Sequence, residues 1–570
     1  MKRMKKCLKS TNPGSRCFKL IVCLSLCFCL TASLALVGCG DSSENKSGIR
    51  FEETAVTVTV GSSKDVIASF SESYTDYETE WTVSDESVLR LTVPSKKLQP
   101  NKARLKGLKA GSATVTAKAA DGMTAEITVT VTDKSEQGGS GETDGAETDD
   151  NELKLTRQTL NVAIGETAEF PAENKDGAVY SSENPSVATV GDNGLITAVT
   201  AGFTYVTAVK EDVTVKIKVG AVSKEVDSVT LTDNEDERIN FYGRSKYDTS
   251  LSARMLYFTA SGFDVAFYGT ELKATMLRES SDTYVPYLSV FVDDESMTEV
   301  LPLSGDRVIK LIDKSAKEYT IVSGLTEGWH VVKVRKRTAF QRGSTKMDTV
   351  AVRSFSTDGY FGYCPDKPEL RIDVYGDSFS CGYGNLADGS SMTSENTDGN
   401  LAYHALLASA VGAELNVMAA SGWGVYKGYG GTASWSWANY YDKLNTMSDE
   451  TVSVGGADVI IINLGTNDVE GGAFADAEQT ALFKEAYKKM LNGLIEQNPD
   501  ALILCTYGFC STDARCKTAI TDVVSEYASD NVKTYFYTTV KSTTGHPDVA
   551  NHRNGAKELE NVLKIYGIID

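Results

Sequence analysis

The feature that most constrains the fold is a change in hydrophobic pattern near residue 369. Before this point the sequence consists of short alternating strands with turn residues between them, and after it strand-length apolar segments alternate with helix-length amphipathic ones. With 570 residues the chain is also too long for a single core. The pattern predicts all-β domains followed by an α/β domain whose mainly parallel sheet is covered on both faces.

The C-terminal region has four strand-like and four helix-like segments. The predicted strands are Arg371–Tyr375, Val459–Leu464, Ala501–Thr506 and Thr534–Tyr537. The predicted helices are Ala402–Val411, Ala475–Glu496, Ala514–Tyr527 and Ala550–Tyr566. Residues 224–365 carry only strand signals and predict a β-sandwich of the jelly-roll type.

The composition is that of a globular protein, with 41% hydrophobic and 24% charged residues. The formal net charge is -20, and the chain has no basic stripe that could neutralise phosphates. These properties argue against nucleic-acid binding.

The N-terminus has the pattern of a processing segment. Seven Lys and Arg side chains precede an apolar run from Leu20 to Val37, which ends in Gly38-Cys39 and a polar tether. This arrangement resembles a bacterial lipoprotein signal. The resemblance implies that residues 1–38 are removed and that Cys39 carries the lipid, so that the protein is exported and held on the outer face of the cytoplasmic membrane. The alternative is a plain transmembrane anchor.

Two strand-rich units near the N-terminus are copies of each other. Trp81–Val88 in the first unit corresponds to Tyr180–Val187 in the second, and Lys109–Ala117 corresponds to Thr200–Ala208. The repeated unit resembles the bacterial immunoglobulin-like domains of the group-two kind. This resemblance implies two all-β sandwiches that act as spacers, joined by a flexible acidic Gly/Ser linker.

The predicted organisation has seven segments. They are a signal peptide (1–38), a tether (39–48), an Ig-like domain (49–133), a linker (134–152), a second Ig-like domain (153–223), a jelly-roll β-sandwich (224–365) and a hydrolase domain (366–570).

Four short segments of the last domain lie at or near predicted strand ends and carry chemistry. Gly376-Asp-Ser378 is a strand-to-turn junction that can expose a serine nucleophile. Ala420–Gly424 is a glycine turn that can offer backbone N–H groups to an oxyanion, and Leu464–Asp468 adds an Asn side-chain amide. Gly545-His-Pro547 supplies a histidine that can act as a base.

The order of these segments resembles that of the SGNH (GDSL-type) hydrolases, a flavodoxin-like α/β esterase superfamily. The resemblance implies that Ser378 is the nucleophile and His546 the base. It implies that Gly422 and Asn467 donate to the oxyanion, with Gly424 as the alternative glycine. No metal or cofactor is implied.

The sequence departs from this superfamily at one position. An Asp usually stands three residues before the catalytic His, but here that position is Thr543. His546 could be oriented by the backbone carbonyl of Thr544 or Gly545, or by Asp548 or another acid, or the activity could be degraded. A working Ser–His dyad is the favoured interpretation.

A finer resemblance is to carbohydrate esterase family two, which contains acetyl esterases acting on plant polysaccharides. It is carried by Gly376–Asn385, by Ser421–Gly431, by His546-Pro547 with His552, and by a preceding β-sandwich that includes Gly328–Arg337. The resemblance implies an esterase that removes acetyl groups from xylan or glucomannan.

Aromatic residues are concentrated in and after the second segment. Because they lie among Gly and Ser, they could stack on sugar rings, and the alternative is a loop packed by its own rings. The candidates for substrate contact are Trp423, Tyr426, Trp435 and Trp437.

Two other functions stay open at the level of sequence. The first is an esterase of another O-acylated glycan or of a lipid. The second is a surface carbohydrate-binding or adhesive protein whose hydrolase domain is inactive, an interpretation motivated by the missing Asp.

Overall fold

The structure is a computed structural model in which residues 49–569 are described, apart from several gaps. The gaps are residues 52–54, 60–62, 71–78, 93–101, 120–121, 133–151, 281, 347, 388–392, 510, 528–530 and 539–544. The predicted signal peptide, tether and lipidated Cys39, nearly all of the linker, and Thr543 lie outside the described residues. Within the described ranges, no helix combines the length and apolarity needed to cross a membrane.

The first β unit contains two four-stranded sheets. Its strands are β1 (Ile49–Phe51), β2 (Ala55–Thr59), β3 (Ser63–Phe70), β4 (Thr79–Val83), β5 (Leu89–Thr92), β6 (Lys102–Gly107), β7 (Gly111–Ala119) and β8 (Thr124–Thr132). One sheet has the order β1-β3-β6-β5 and the other β2-β8-β7-β4. Alternate residues of β7 and β8 are buried, as expected for strands with one face on a core.

The second β unit repeats this plan. Its strands are β9 (Lys154–Leu155), β10 (Thr159–Ala163), β11 (Thr167–Glu169), β12 (Ala172–Glu173), β13 (Val179–Ser182), β14 (Ala188–Val190), β15 (Leu195–Ala198), β16 (Gly202–Lys210) and β17 (Val213–Val222). Its main sheet has the order β10-β17-β16-β13. In both units the first strand of this sheet pairs in parallel with the last, so the two copies share one topology.

The third region is a sandwich of two sheets. Its strands are β18 (Ser228–Thr230), β19 (Ile239–Tyr242), β20 (Ser245–Asp248), β21 (Ala253–Leu256), β22 (Gly262–Gly269), β23 (Leu272–Arg278), β24 (Tyr287–Val292), β25 (Val308–Lys310), β26 (Lys317–Val322), β27 (Gly328–Lys336), β28 (Gln341–Arg342), β29 (Thr345–Lys346), β30 (Val350–Thr357) and β31 (Tyr360–Phe361). The orders are β20-β21-β30-β23-β26 and β19-β22-β27-β24-β25, with apolar residues of both sheets in one core. The predicted β-rich region is therefore confirmed as a sandwich, and its jelly-roll topology stays a prediction.

The C-terminal domain is a doubly wound α/β domain. Its strands are β32 (Arg371–Gly376), β33 (Glu414–Ala419), β34 (Val459–Asn463), β35 (Leu502–Tyr507) and β36 (Val532–Phe536). Its helices are α1 (Tyr403–Val411), α2 (Trp437–Tyr440), α3 (Thr466–Glu470), α4 (Ala477–Gln497), α5 (Ala514–Ser525) and α6 (Val549–Ile565).

All pairings in this sheet are parallel, in the order β33-β32-β34-β35-β36. Counted along the domain, this is the 2-1-3-4-5 order of flavodoxin-like folds. Helices α1 and α6 pack on one face of the sheet, and α4 and α5 pack on the other. The four predicted strands and four long helices are all found, within a few residues of their predicted ends.

The sandwich and the α/β domain are joined by a buried interface. The Arg337 guanidinium of the sandwich and the Asp398 carboxylate of the α/β domain are both fully buried, with Nε and Oδ2 2.9 Å apart. Gly399 packs so closely on Thr259 that a Cβ at this glycine would lie 1.7 Å from the threonine Oγ1. Because of this contact, the sandwich can contribute residues to a site on the α/β domain.

Candidate active site

The candidate residues meet at the carboxyl edge of the parallel sheet. Ser378 follows the end of β32, Gly422 follows β33, and Asn467 lies in α3 after β34. His546 lies three residues before α6. This edge, next to the point where the strand order reverses, is the usual ligand-binding position in open α/β sheets.

A tight turn presents Ser378. Gly376 ends β32 so close to the following turn that a Cβ here would lie 1.9 Å from the Ser380 Oγ, so only glycine fits. The turn is held by backbone bonds from Cys381 to Asp377 (3.0 Å) and from Tyr383 to Ser378 (3.0 Å). The Ser378 side chain is 7% exposed, and its hydroxyl is thus fixed at the edge of the sheet.

The Ser378 hydroxyl is paired with His546. The distance from the imidazole Nε2 to the serine Oγ is 2.8 Å, which is a hydrogen bond in the geometry needed for proton transfer. The imidazole is half-buried and lies edge-on to the rings of Phe379 (5.2 Å) and Tyr383 (5.9 Å). Two predicted residues, 168 positions apart in the sequence, are thus in direct contact.

Asp548 serves a local structural purpose. Its Oδ1 accepts hydrogen bonds from the Asn551 backbone N–H and side-chain amide, each at 2.8 Å, which caps the start of α6. Thr543 and Thr544 lie outside the described residues. The orientation of His546 by the backbone carbonyl of Thr544 or Gly545, or by another acid, therefore stays a prediction.

The two candidate glycines in the turn after β33 differ in the hydrogen bonding of their backbone N–H groups. The Gly424 N–H donates to the Trp435 carbonyl at 3.2 Å, so it is already used. Neither the Gly422 N–H nor the Ser378 N–H has an acceptor among the described residues. Gly422 has φ +86°, a left-handed conformation that favours glycine. Of the two glycines, Gly422 keeps its amide available.

The Asn467 amide makes two contacts. Its Nδ2 donates to the Trp423 carbonyl at 2.9 Å and, over a longer distance of 3.3 Å, to the Asp377 Oδ2. The side chain is 7% exposed. The amide is therefore held rigidly beside the nucleophile turn, with one weakly held hydrogen.

Asp468 clamps the turn that contains Gly422. Its buried carboxylate accepts hydrogen bonds from the backbone N–H groups of Val425 (2.8 Å), Tyr426 (2.8 Å) and Lys427 (3.1 Å). Burial raises the pKa of Asp468 to about 6, although these N–H groups lower it. Asp468 belongs to the Leu464–Asp468 segment, but nothing local in the sequence distinguishes a clamping carboxylate from a solvated one.

Asp377 is a second buried carboxylate beside the site. Burial raises its pKa to about 7, and the negative charge of Asp468 adds to the shift. Its Oδ1 accepts from the Phe379 N–H at 3.0 Å. Asp377 therefore braces the nucleophile turn from within the domain and does not face the solvent.

The structure contradicts the prediction of substrate contact for two of the four aromatic residues. Trp423 and Trp437 are 1% and 0% exposed, and their indole N–H groups donate to the carbonyls of Gly343 and Gly376. A buried ring has no face for a sugar, so the prediction of substrate contact is wrong for these two residues. Tyr426 and Trp435 are half-buried, and for them it stays a prediction.

One part of the site was not predicted from the sequence. The hairpin of β28 and β29, which belongs to the sandwich, docks on the turn before Gly422. The Gly343 N–H donates to the Ser421 carbonyl at 2.8 Å, and the Ser421 N–H donates to the Gln341 carbonyl at 3.0 Å. This contact joins residues about 80 positions apart in different domains, and local patterning carries no signal for it.

Other features of the described residues lie away from this edge or are absent from those residues. A cavity of about 580 Å³ lies between the second β unit, the sandwich and the α/β domain, and Ser378 does not line it. In the part of the chain that the structure describes, no three His, Cys, Asp or Glu side chains are grouped to hold a metal ion.

The comparisons with known families agree with this geometry. Residues 374–549 match the GDSL-like lipase/acylhydrolase family, residues 241–355 match the carbohydrate esterase 2 N-terminal domain, and residues 157–234 match the bacterial Ig-like domain of group 2. The chain therefore carries a GDSL-like hydrolase domain behind an esterase-type sandwich and an Ig-like domain, as the sequence predicts.

Two individual proteins that are similar to this chain are esterases. The chain is 27% identical over 351 residues to cellulase/esterase CelE of Acetivibrio thermocellus, covering 58% of this chain and 40% of that protein. It is 29% identical over 195 residues to an acetylxylan esterase / glucomannan deacetylase of Cellvibrio japonicus, covering 31% of this chain and 50% of that protein. The chain thus spans half or less of the length of these curated relatives.

A solved structure extends the comparison. An active-site mutant of a family two carbohydrate esterase from Clostridium thermocellum superposes with a TM-score of 0.50 at 25% identity, covering 58% of this chain and 98% of that one. The homologues are family two carbohydrate esterases and acetylxylan esterases, which are carboxylic ester hydrolases, the class predicted from the sequence.

The basicity of His546 leads to a prediction about pH. Burial, and then the positive charge of Arg342, lower the pKa of this imidazole to about 4. A base must be neutral to accept a proton, so activity should persist to acid pH. For a small neutral ester such as 4-nitrophenyl acetate, we expect kcat/KM to fall to half its maximum near the His546 pKa of about 4.

The control for this pH profile is circular dichroism in the same buffers, which separates titration from unfolding. An acid limb near the ordinary histidine pKa of about 6.5 would contradict the prediction. Such a limb would show that an interaction with the charged imidazolium offsets the effect of burial on its pKa.

Proposed function

We propose that the chain is a serine esterase that removes O-acetyl groups from polysaccharides of the xylan or glucomannan type. The observation that carries this proposal is the 2.8 Å contact between His546 Nε2 and Ser378 Oγ at the carboxyl edge of the sheet. The homologues, which include an acetylxylan esterase / glucomannan deacetylase, support the substrate class.

The proposed reaction begins with proton transfer. His546 takes the proton of the Ser378 hydroxyl as the serine Oγ attacks the carbonyl carbon of the acetyl ester. The resulting tetrahedral oxyanion accepts hydrogen bonds from the backbone N–H groups of Ser378 and Gly422, two amides without an acceptor among the described residues. Asn467 supplies a third donor through the hydrogen that it holds weakly to Asp377.

Collapse of the intermediate releases the sugar. The C–O bond to the sugar breaks, and the imidazolium of His546 gives its proton to the departing sugar oxygen, leaving Ser378 acetylated. Water then attacks the acetyl carbonyl carbon while His546 takes one of its protons. The bond from this carbon to the Ser378 oxygen breaks, His546 gives the proton to that oxygen, and acetic acid leaves and ionises to acetate in solution.

We also propose that Cys39 anchors the protein by lipid to the outer face of the membrane. The Ig-like units would then act as spacers that hold the esterase domain near polymer outside the cell. The N-terminal sequence pattern supports this proposal.

The test is acetate release from acetylated xylan and acetylated glucomannan by the wild-type chain. Chemically deacetylated samples of the same polymers provide the blank. Release from either acetylated polymer, and none from the blanks, is expected. Binding to the polymers without any release would refute the esterase and favour a carbohydrate-binding function.

A further inference from the structure

Arg342 is a cation that the sandwich places beside the candidate nucleophile. It lies in β28 and forms a parallel bridge with Ser421, directly before Gly422. Its guanidinium is 5.6 Å from the centroid of the Tyr383 ring, and this ring is 5.9 Å from that of His546. A residue of the β-sandwich domain thus lies at the mouth of the site.

The backbone that carries Arg342 is held firmly. Gln341 is 2% exposed, and its side chain is hydrogen-bonded to Thr446 and to the Gly343 carbonyl. The Trp423 indole also donates to the Gly343 carbonyl, at 3.1 Å. Buried neighbours on both sides fix the position of the hairpin, whereas the Arg342 side chain itself is exposed.

The charge of Arg342 is not neutralised within the described part of the protein. No described carboxylate lies within ion-pair distance of its guanidinium. By contrast, Lys346 of the same hairpin is 2.9 Å from Glu279. The chain has a net charge of -20, so an unneutralised cation at its candidate active site is an exception to the overall charge.

We propose that Arg342 forms a carboxylate subsite, so that the preferred substrate is an acetylated polysaccharide with an acidic sugar, such as a uronic acid, close to the acetyl ester. This inference rests on the proposed esterase function. An exposed guanidinium offers a planar pair of N–H donors that matches the two oxygens of a carboxylate. The Tyr383 ring beneath it limits the directions in which the guanidinium can turn.

A bound carboxylate would also assist the chemistry. The positive charge of Arg342 lowers the pKa of His546 and so weakens the base. A substrate carboxylate on Arg342 offsets this charge and restores the basicity of the imidazole. Among the described residues, His546 also faces the rings of Phe379 and Tyr383 and, within electrostatic range, His552, which is uncharged at neutral pH because burial lowers its pKa to about 3.

The experiment compares two defined substrates. One is an O-acetylated xylo-oligosaccharide with a glucuronic acid beside the acetyl group, and the other is the same oligosaccharide without the acid. For the wild-type chain we expect kcat/KM to be higher on the acidic substrate by about tenfold, the size of one charge-assisted contact. The preference should arise mainly in KM and should weaken as salt is added.

Arg342→Gln should abolish this preference. We expect the ratio of the two kcat/KM values to fall about tenfold, towards one. The variant should also move the acid limb of the pH profile on a neutral ester to higher pH, because the cation no longer lowers the His546 pKa. A merely structural role for Arg342 would not move this limb.

Lys346→Gln is the matched control. It removes a cation from the same hairpin, but one that is paired with Glu279, so it should leave both the activity and the preference unchanged. An equal preference in the wild type and in Arg342→Gln, or no preference in the wild type, would overturn the carboxylate subsite. If the wild type hydrolysed neither oligosaccharide nor 4-nitrophenyl acetate, the esterase proposal itself would fail. The two failures are therefore distinguishable.

Discussion

Ser378→Ala is expected to lower kcat for ester hydrolysis by on the order of a thousandfold or more, because it removes the hydroxyl that is proposed to attack the ester. His546→Ala should have an effect of similar size, since the serine hydroxyl then lacks its base. The two effects should not add in the double variant, because the two side chains act as one unit. The kcat values of the two single variants and of the double variant can be measured by acetate release and by hydrolysis of 4-nitrophenyl acetate.

The control for this pair is His330→Ala. His330 lies in β27 of the sandwich, where its ring nitrogens contact Asp293 Oδ2 (2.9 Å) and the Thr326 carbonyl (2.7 Å). The His330→Ala variant should therefore leave kcat unchanged. Binding of Ser378→Ala to acetylated polymer should persist. Hydrolysis by Ser378→Ala at the wild-type rate would contradict the assignment of the nucleophile.

Asp468→Ala is expected both to destabilise the α/β domain and to disorder the turn that contains Gly422. The change removes the acceptor of three backbone N–H groups, the buried one of Val425 and the partly buried ones of Tyr426 and Lys427. At about 1–3 kcal/mol for each unsatisfied group, the loss should be on the order of several kcal/mol. Urea unfolding followed by the fluorescence of the buried Trp423 and Trp437 measures it.

Asp513→Ala is the matched comparison. Asp513 also accepts backbone N–H bonds, from Arg515 and Cys516, but as a cap of α5 near the surface. Loss of such a cap costs about 1 kcal/mol and should leave kcat unchanged. Equal free energies of unfolding for Asp468→Ala and Asp513→Ala would contradict the prediction, because the turn that contains Gly422 would then not depend on the buried Asp468 carboxylate.

Local patterning was sufficient to predict most of the fold. After residue 369, apolar segments of strand length alternate with amphipathic segments of helix length. The hydrophobic periodicity that distinguishes a strand from a helix is visible within a short stretch of sequence. Strand β33 was missed, because it lies at the edge of the sheet and begins with the half-buried residues Glu414 and Leu415. The short helices α2 and α3 were also missed, since each is too brief for a periodic signal.

The chemical segments were predicted for the same reason. Gly376-Asp-Ser378 and Gly545-His-Pro547 are identified by turn-forming residues at fixed positions relative to a strand or a helix, so their order along the chain indicated a serine hydrolase. The 2.8 Å contact between Ser378 and His546 then follows from the strand order, which brings the carboxyl ends of parallel strands to one edge.

The sequence by itself therefore determined the domain classes and the residues of the Ser–His pair. Only the tertiary structure decided which aromatic rings are buried, which candidate glycine has an N–H without an acceptor among the described residues, and which residue of another domain lies beside the site. Trp423 and Trp437 stand in a glycine- and serine-rich segment, yet the sheet and the docked hairpin cover them. Arg342 lies beside the site because the sandwich docks on the α/β domain through a buried interface. Such contacts form between surfaces that are distant in sequence. The residues that neighbour each contact along the chain therefore show no pattern that would predict it.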